Sequence, residues 1–221
     1  MVTHILTDIE GTTTPIAFVH ATLFPHAAAA LEGFLAARGD DPEVAAILAE
    51  VPGPDRLATL RAWMAQDAKA MPLKALQGLI WREGYASGAL RGRLWPDVPG
   101  ALRAWHARGI RLAVYSSGSE EAQRLLFRHA EAGDLEPLFE RFFDTRIGAK
   151  REAGSYRRIL ADWGAPAEAT LFLSDVAEEL DAARAAGLAT CQLVRPGDGT
   201  APCGRHPEAP DFAAVAARLA R

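Results

Sequence analysis

Cysteine is nearly missing from this chain: Cys191 and Cys203 are the only two in 221 residues, and neither sits in a CxxC or Cys/His spacing. That excludes a disulfide framework and a thiolate metal site, and leaves two reduced thiols of the kind a cytosolic protein carries. No apolar run reaches the roughly 20 residues that a membrane helix requires. No cationic and apolar leader opens the sequence, whose first residues read instead as a core strand, so the expectation is a cytoplasmic protein with no membrane partner. Charge of one sign is also lacking. The formal net charge is −4, with acids and bases intermixed, which argues against nucleic acid and for a small-molecule partner.

What the chain does have is a globular composition, 49% hydrophobic and 24% charged, and length enough for one large domain or a core with a sizeable insertion. Four short apolar runs read as buried parallel strands: His4 to Leu6, Leu112 to Tyr115, Leu171 to Leu173 and Cys191 to Val194. Phe142 to Asp144 is a fifth, shorter candidate. Helical periodicity fills Glu120 to Ala132, Ser155 to Trp163 and Val176 to Ala186, the last closed by Gly187. The alternation implies an α/β fold, a doubly wound, Rossmann-like parallel sheet with right-handed crossovers.

Between the first two strands lies a stretch too long for a simple crossover, with helical patterns at Ala17 to Ala37, Pro42 to Ala49, Pro54 to Ala68 and Leu73 to Glu83. It reads as an all-helical cap subdomain over 16–98, inserted into a core made of 1–15 and 99–221. The segment Arg195 to Pro210, rich in glycine and proline, reads as a surface loop, and the C-terminal segment beyond Val194 as a whole reads as disordered or as a docked tail.

Chemistry concentrates where strands end. Thr3-His4-Ile5-Leu6-Thr7-Asp8-Ile9-Glu10-Gly11-Thr12-Thr13 runs a strand into a turn and delivers two carboxylates there. On a continued strand Asp8 and Glu10 share one face. Ligands of open α/β sheets bind at that carboxyl edge, and two neighbouring anions call for a shared proton or a hard cation such as Mg²⁺.

Three further segments carry weaker signals. Tyr115-Ser116-Ser117-Gly118-Ser119 enters a helix and reads either as an anion site or as a plain helix cap. Lys150, in Gly148-Ala149-Lys150, is either a solvated charge or a neutraliser of phosphate and nucleophile. Asp175 ends the strand at Leu173-Ser174 and is either an N-cap or a third acidic ligand, while Glu178 and Glu179 suit the first turn of the next helix.

Taken in order, strand-end acid pair, strand-end serine, lysine and strand-end acid, the chain resembles the haloacid dehalogenase superfamily of phosphohydrolases. The resemblance implies Asp8 as nucleophile, Ser116 or Ser117 as phosphate ligands, Lys150 as neutralising cation and Asp175 as a Mg²⁺ ligand. Longer strings narrow it. Asp8-Ile9-Glu10-Gly11-Thr12-Thr13, Phe18-Val19-His20 with Leu23-Phe24-Pro25, Leu76-Gln77-Gly78-Leu79-Ile80-Trp81, Gly84-Tyr85 with Ser87-Gly88, and Asp97-Val98-Pro99 are similar to the enolase-phosphatases of methionine salvage.

That family implies conversion of 2,3-diketo-5-methylthiopentyl-1-phosphate, through its enol phosphate, to acireductone and phosphate, with Mg²⁺ and as a monomer. Glu10 stands where most phosphatases of the superfamily carry Asp, and serves through its carbonyl to the metal, through its side chain as acid or base, or both. Glu10 is the first candidate for the base that removes the C1 proton, Lys150 the second. Trp81 and Phe24 are candidates to receive the methylthioalkyl tail. The alternatives are a general small-molecule phosphatase, a haloacid dehalogenase, which needs no metal, and a non-catalytic scaffold.

Overall fold

A computed structural model describes residues 1–66, 68 and 70–219. The chain divides into two compact units, Met1–Ile16 with Gly92–Arg221, and Ala17–Arg91.

The first unit is built on six parallel strands, β1 (His4–Thr7), β2 (Arg111–Tyr115), β3 (Phe139–Phe143), β4 (Thr170–Ser174), β5 (Ala189–Leu193) and β6 (Glu208–Ala209), in the order β3-β2-β1-β4-β5-β6. β1 is buried at all four positions because both faces of the sheet are covered, and for that reason its sequence does not alternate. On one face Leu6, Tyr115 and Phe172 pack with Tyr156, Ile159, Trp163 and Leu180 from the helices Ala153–Trp163 and Ala177–Ala185. A helix Val98–Ala107 packs on β2, with Trp105 stacked 5.1 Å from Phe212 of the last helix, Phe212–Leu219.

Strand order reverses at β1, whose neighbours are β2 and β4, with Thr7 level with Val114 on one side and Leu173 on the other. Such a switch point is where an open parallel sheet forms a ligand crevice.

The second unit, Ala17–Arg91, is entirely helical among its described residues, and closes on Leu31, Phe34, Leu60, Leu73, Leu76 and Ile80. The helix expected over 54–68 runs Arg56–Ala65, and position 67 lies outside the described residues. The helix expected over Ala17 to Ala37 is not uniform: Val19–Leu23 forms a π turn before the α-helix Phe24–Arg38. Pro25 has no N–H to give residue 21 and its ring crowds that carbonyl, so a widened turn relieves what a regular helix cannot.

Three further expectations are corrected. The helix expected to reach Ala132 stops at Arg128, because His129 and Glu131 bond to the backbone of Gly92 at 2.8 and 2.9 Å. Only glycine fits at 92, since a Cβ there would stand 2.0 Å from the Leu126 carbonyl. The helix Val98–Ala107 was not expected, although Pro99 at its start and Leu102 and Trp105 one turn apart mark it. Arg195 to Pro210 is not merely a surface loop. It contains β6, buries Arg195 and His206, and is fastened by side chains, Gln192 Oε1 accepting from the Cys203 N–H at 2.9 Å and Thr190 Oγ1 lying 2.8 Å from His206 Nδ1. The tail beyond it is docked as a helix.

Candidate active site

Asp8 follows β1 directly and is 4% exposed; its N–H still extends the ladder to the Leu173 carbonyl at 2.9 Å. The strand ends there because the chain turns on itself: the N–H groups of Thr12, Thr13 and Thr14 all converge on the Ile9 carbonyl. Gly11 makes that turn at φ +70°, and a Cβ on it would lie 2.3 Å from Asp175 Oδ2. Asp8 and Glu10 therefore do not share a strand face. Asp8 points into the buried cluster, whereas Glu10 is exposed, its backbone bridged to Thr14.

Lys150 closes on Asp8. Its Nζ lies 2.7 Å from Asp8 Oδ1 and 2.7 Å from Glu179 Oε2. The loop that carries it is held by three consecutive carbonyls: Tyr115 donates to Gly148 at 2.9 Å, Ser155 to Ala149 at 2.8 Å and Tyr156 to Lys150 at 2.8 Å. Burial opposes the ammonium, but the charges of Asp8 and Glu179 outweigh it and raise the Lys150 pKa, so the side chain is a cation at neutral pH.

Sequence reasoning placed Glu178 and Glu179 together in a helix first turn. The structure separates them: Glu178 is exposed, and Glu179 is buried against Lys150 and accepts from Ser174 Oγ at 3.1 Å. Burial and the Asp8 charge push the Glu179 carboxyl upward. Ser174, which drew no attention in the sequence, also lies 3.4 Å from Asp8 Oδ2.

Asp175 is fixed from two sides. Its N–H donates to Thr12 Oγ1 at 3.0 Å and its carbonyl accepts from Gln192 Nε2 at 3.0 Å. Burial, then the nearby Asp8 charge, raise its carboxyl to about 6. The N-cap reading fails, since the residue before the helix Ala177–Ala185 is Val176.

At the end of β2 the two readings of the serine turn divide between residues. Ser119 is the cap, accepting from the Ala122 N–H at 3.3 Å, while the Glu120 N–H is taken by Asp144 Oδ2 at 3.4 Å. The anion-binding expectation thus moves off the helix end and onto Ser116, buried at the strand end, and Ser117, exposed beside it. Gln123 staples this turn to β3 by donating to the carbonyls of Gly118 and Phe143 at 2.8 and 2.9 Å.

Asp8 and Glu179 flank one ammonium and Asp175 adds a third carboxylate that feels the Asp8 charge, an excess of negative charge with oxygen donors only. That donor chemistry suits Mg²⁺, which is held by one or two carboxylates and keeps several waters. Among the described residues no three His, Cys, Asp or Glu side chains stand together as a group that could hold a metal ion. In the helical unit, Phe24 and Trp81 stack at 6.2 Å, with the indole N–H given to the Leu23 carbonyl at 2.9 Å.

The haloacid dehalogenase-like hydrolase family model matches residues 2–187. The enolase-phosphatase E1 of Granulibacter bethesdensis is 64% identical over 217 residues, covering 96% of this chain and 94% of that protein. The chain belongs to the enolase-phosphatase family of haloacid dehalogenase-like hydrolases. The enolase-phosphatase E1 of Gluconacetobacter diazotrophicus is 60% identical over 98% of this chain and 94% of its own length. Among solved structures, the UTR4 protein of Saccharomyces cerevisiae superimposes with a TM-score of 0.84 at 36% identity, over 96% of this chain and 99% of that one. CbbY of Rhodobacter sphaeroides, solved with xylulose-1,5-bisphosphate, shares the fold, with a TM-score of 0.63 at 22% identity over 96% of each chain.

Proposed function

We propose that this enolase-phosphatase of methionine salvage converts 2,3-diketo-5-methylthiopentyl-1-phosphate to acireductone and phosphate, with Asp8 as the nucleophile. The observation that carries the assignment is the Asp8 carboxylate, buried at the strand-order switch point and held 2.7 Å from the Lys150 ammonium.

In the first half-reaction a base removes a C1 proton and the C2 carbonyl oxygen gains one, giving the enol phosphate. Lys150 is charged and shared between two carboxylates, which disfavours it as that base. The exposed Glu10 is the better candidate. In the second half-reaction an Asp8 oxygen attacks phosphorus, the bond to the enol oxygen breaks, and that oxygen takes a proton as acireductone leaves. Water then cleaves the aspartyl phosphate and restores the carboxylate. Lys150 offsets charge on the transferring oxygens, while Ser116 and Ser117 hold the others.

Asp8, Asp175 and the Glu10 carbonyl are the groups that would hold Mg²⁺, which when bound would supply further charge stabilisation to the phosphoryl and enolate oxygens. The substrate is a small phosphorylated diketone, and the protein acts as a cytoplasmic monomer.

The test follows enol and free phosphate separately, with Mg²⁺ and with chelator, beside Asp8→Asn. Enol formation followed by Mg²⁺-dependent phosphate release, with none from Asp8→Asn, is the expected result. Hydrolysis of simple monoesters without reaction of the diketone would overturn it in favour of a general phosphatase.

A further inference from the structure

β5 carries none of the reacting groups, yet two side chains at and just beyond its end hold both acid-bearing loops. Gln192 takes the Asp175 carbonyl at 3.0 Å. Arg195, its side chain only 4% exposed, takes the Thr12 carbonyl with Nε at 3.3 Å and Nη2 at 2.9 Å. Its other edge grips Asp97 in a fork, at 2.9 and 3.0 Å, and Nη1 also reaches the Pro210 carbonyl at 3.3 Å. Asp97 in turn accepts from the Phe212 N–H at 2.8 Å, and the guanidinium lies between the rings of Trp95 and Phe212, at 5.2 and 5.6 Å.

Thr12 is the hinge of this arrangement. Its carbonyl belongs to Arg195, while its hydroxyl accepts the Asp175 N–H at 3.0 Å and lies 3.4 Å from Asp175 Oδ1. Two loops 163 positions apart in the sequence are therefore set against each other through one hydroxyl. The backbone bonds of the Gly11 turn close within residues 9–14, apart from the Thr13 carbonyl, which accepts from the Trp95 N–H at 3.0 Å, so they do not themselves fix that hydroxyl on the Asp175 loop.

We infer that Arg195 is a positioning residue for the reaction: its guanidinium fixes the Thr12 carbonyl and thereby the register of the Asp8 loop on the Asp175 loop. It touches no reacting atom. Planar N–H donors serve three partners in different directions here, and an ammonium has neither the fork nor the reach to repeat it. Asp97 keeps the buried charge neutral. The structure thus gives the segment after β5 a task in catalysis that its loop composition does not announce.

This inference rests on the proposed function only for its kinetic arm, so the test has two. In the metal-free protein, hydrogen exchange at the Asp175 amide, whose acceptor is Thr12 Oγ1, is compared between wild type, Arg195→Lys and Thr12→Val, with the amides of Leu171 to Leu173 as internal reference. Both variants are expected to speed exchange at Asp175 at least tenfold while the strand amides stay protected. In turnover, Arg195→Lys is expected to lower kcat at least tenfold with KM changed less than threefold, and the double variant to be no worse than Thr12→Val alone.

Wild-type exchange at Asp175 in Arg195→Lys would overturn the inference. So would acceleration shared equally by the strand amides, which marks a purely structural residue. An inactive wild type with the expected exchange pattern would instead count against the proposed substrate and leave the positioning intact.

Discussion

The Lys150 ammonium stands 2.7 Å from Asp8 and 2.7 Å from Glu179, so one buried cation is shared by a carboxylate at the end of β1 and another in the first turn of the helix Ala177–Ala185. Removing it leaves both acids uncompensated. Lys150→Met is expected to cost about 3–5 kcal/mol of stability at neutral pH, the penalty for breaking a buried pair from one side. Urea melts check this, and Glu179→Gln added to Lys150→Met should recover part of the loss. A double variant no more stable than Lys150→Met would mean that Glu179 does not share the charge.

Asp175 predicts the pH dependence of the metal-free protein. Its folded carboxyl titrates at about 6, above the ordinary 3.8, so the folded state holds the proton more tightly than the unfolded state. The contribution is full below the unfolded value, is lost as pH rises from about 4 to about 6, and amounts to roughly 3 kcal/mol at 1.36 kcal/mol per pKa unit. Melting temperature should fall across that window, less so with Mg²⁺ present. Asp175→Asn should flatten the slope, and an unchanged slope would refute the cause.

Gly11→Ala tests the close approach of the two loops. A side chain at φ +70° costs about 1–2 kcal/mol, and the added Cβ displaces the Asp175 carboxylate that it would otherwise meet at 2.3 Å. The expected outcome is a folded protein with a lower Tm and a raised Mg²⁺ concentration for half-maximal activity. Unchanged Mg²⁺ dependence would contradict the metal assignment of Asp175.

The serine turn separates cap from ligand. Ser119→Ala should lower stability by about 1 kcal/mol and leave kcat/KM intact. Ser116→Ala should keep its Tm and lose about 10- to 100-fold in kcat/KM, the value of a hydrogen bond to a charged phosphate. The reverse pattern would return Ser116 to the role of a plain turn residue.

The strands were legible because burial on both faces writes them as unbroken apolar runs, and β1 in particular announces itself by running straight into Asp8. Asp8, Lys150 and Asp175 could be picked out since each is a charged residue at or beyond a strand end. Glu179 could not be told from Glu178, as both suit a helix first turn and only the packed position of Lys150 distinguishes them. Arg195 and Gln192 were hidden for another reason. Their partners, Thr12, Asp97 and Asp175, are remote in sequence, and local periodicity carries no trace of side chain to backbone bonds across the sheet. The π turn at Val19–Leu23 had its signal in Pro25, inside a run otherwise favourable to helix.

The central claim is that phosphate passes through Asp8. Acid quenching during turnover of the diketo phosphate, followed by borohydride reduction and peptide mass analysis, tests it most directly. The account predicts an aspartyl phosphate at position 8, reduced to homoserine, in the wild type and none in Asp8→Asn. Undiminished turnover with no modified peptide, or with the phosphoryl group on another residue, would contradict it.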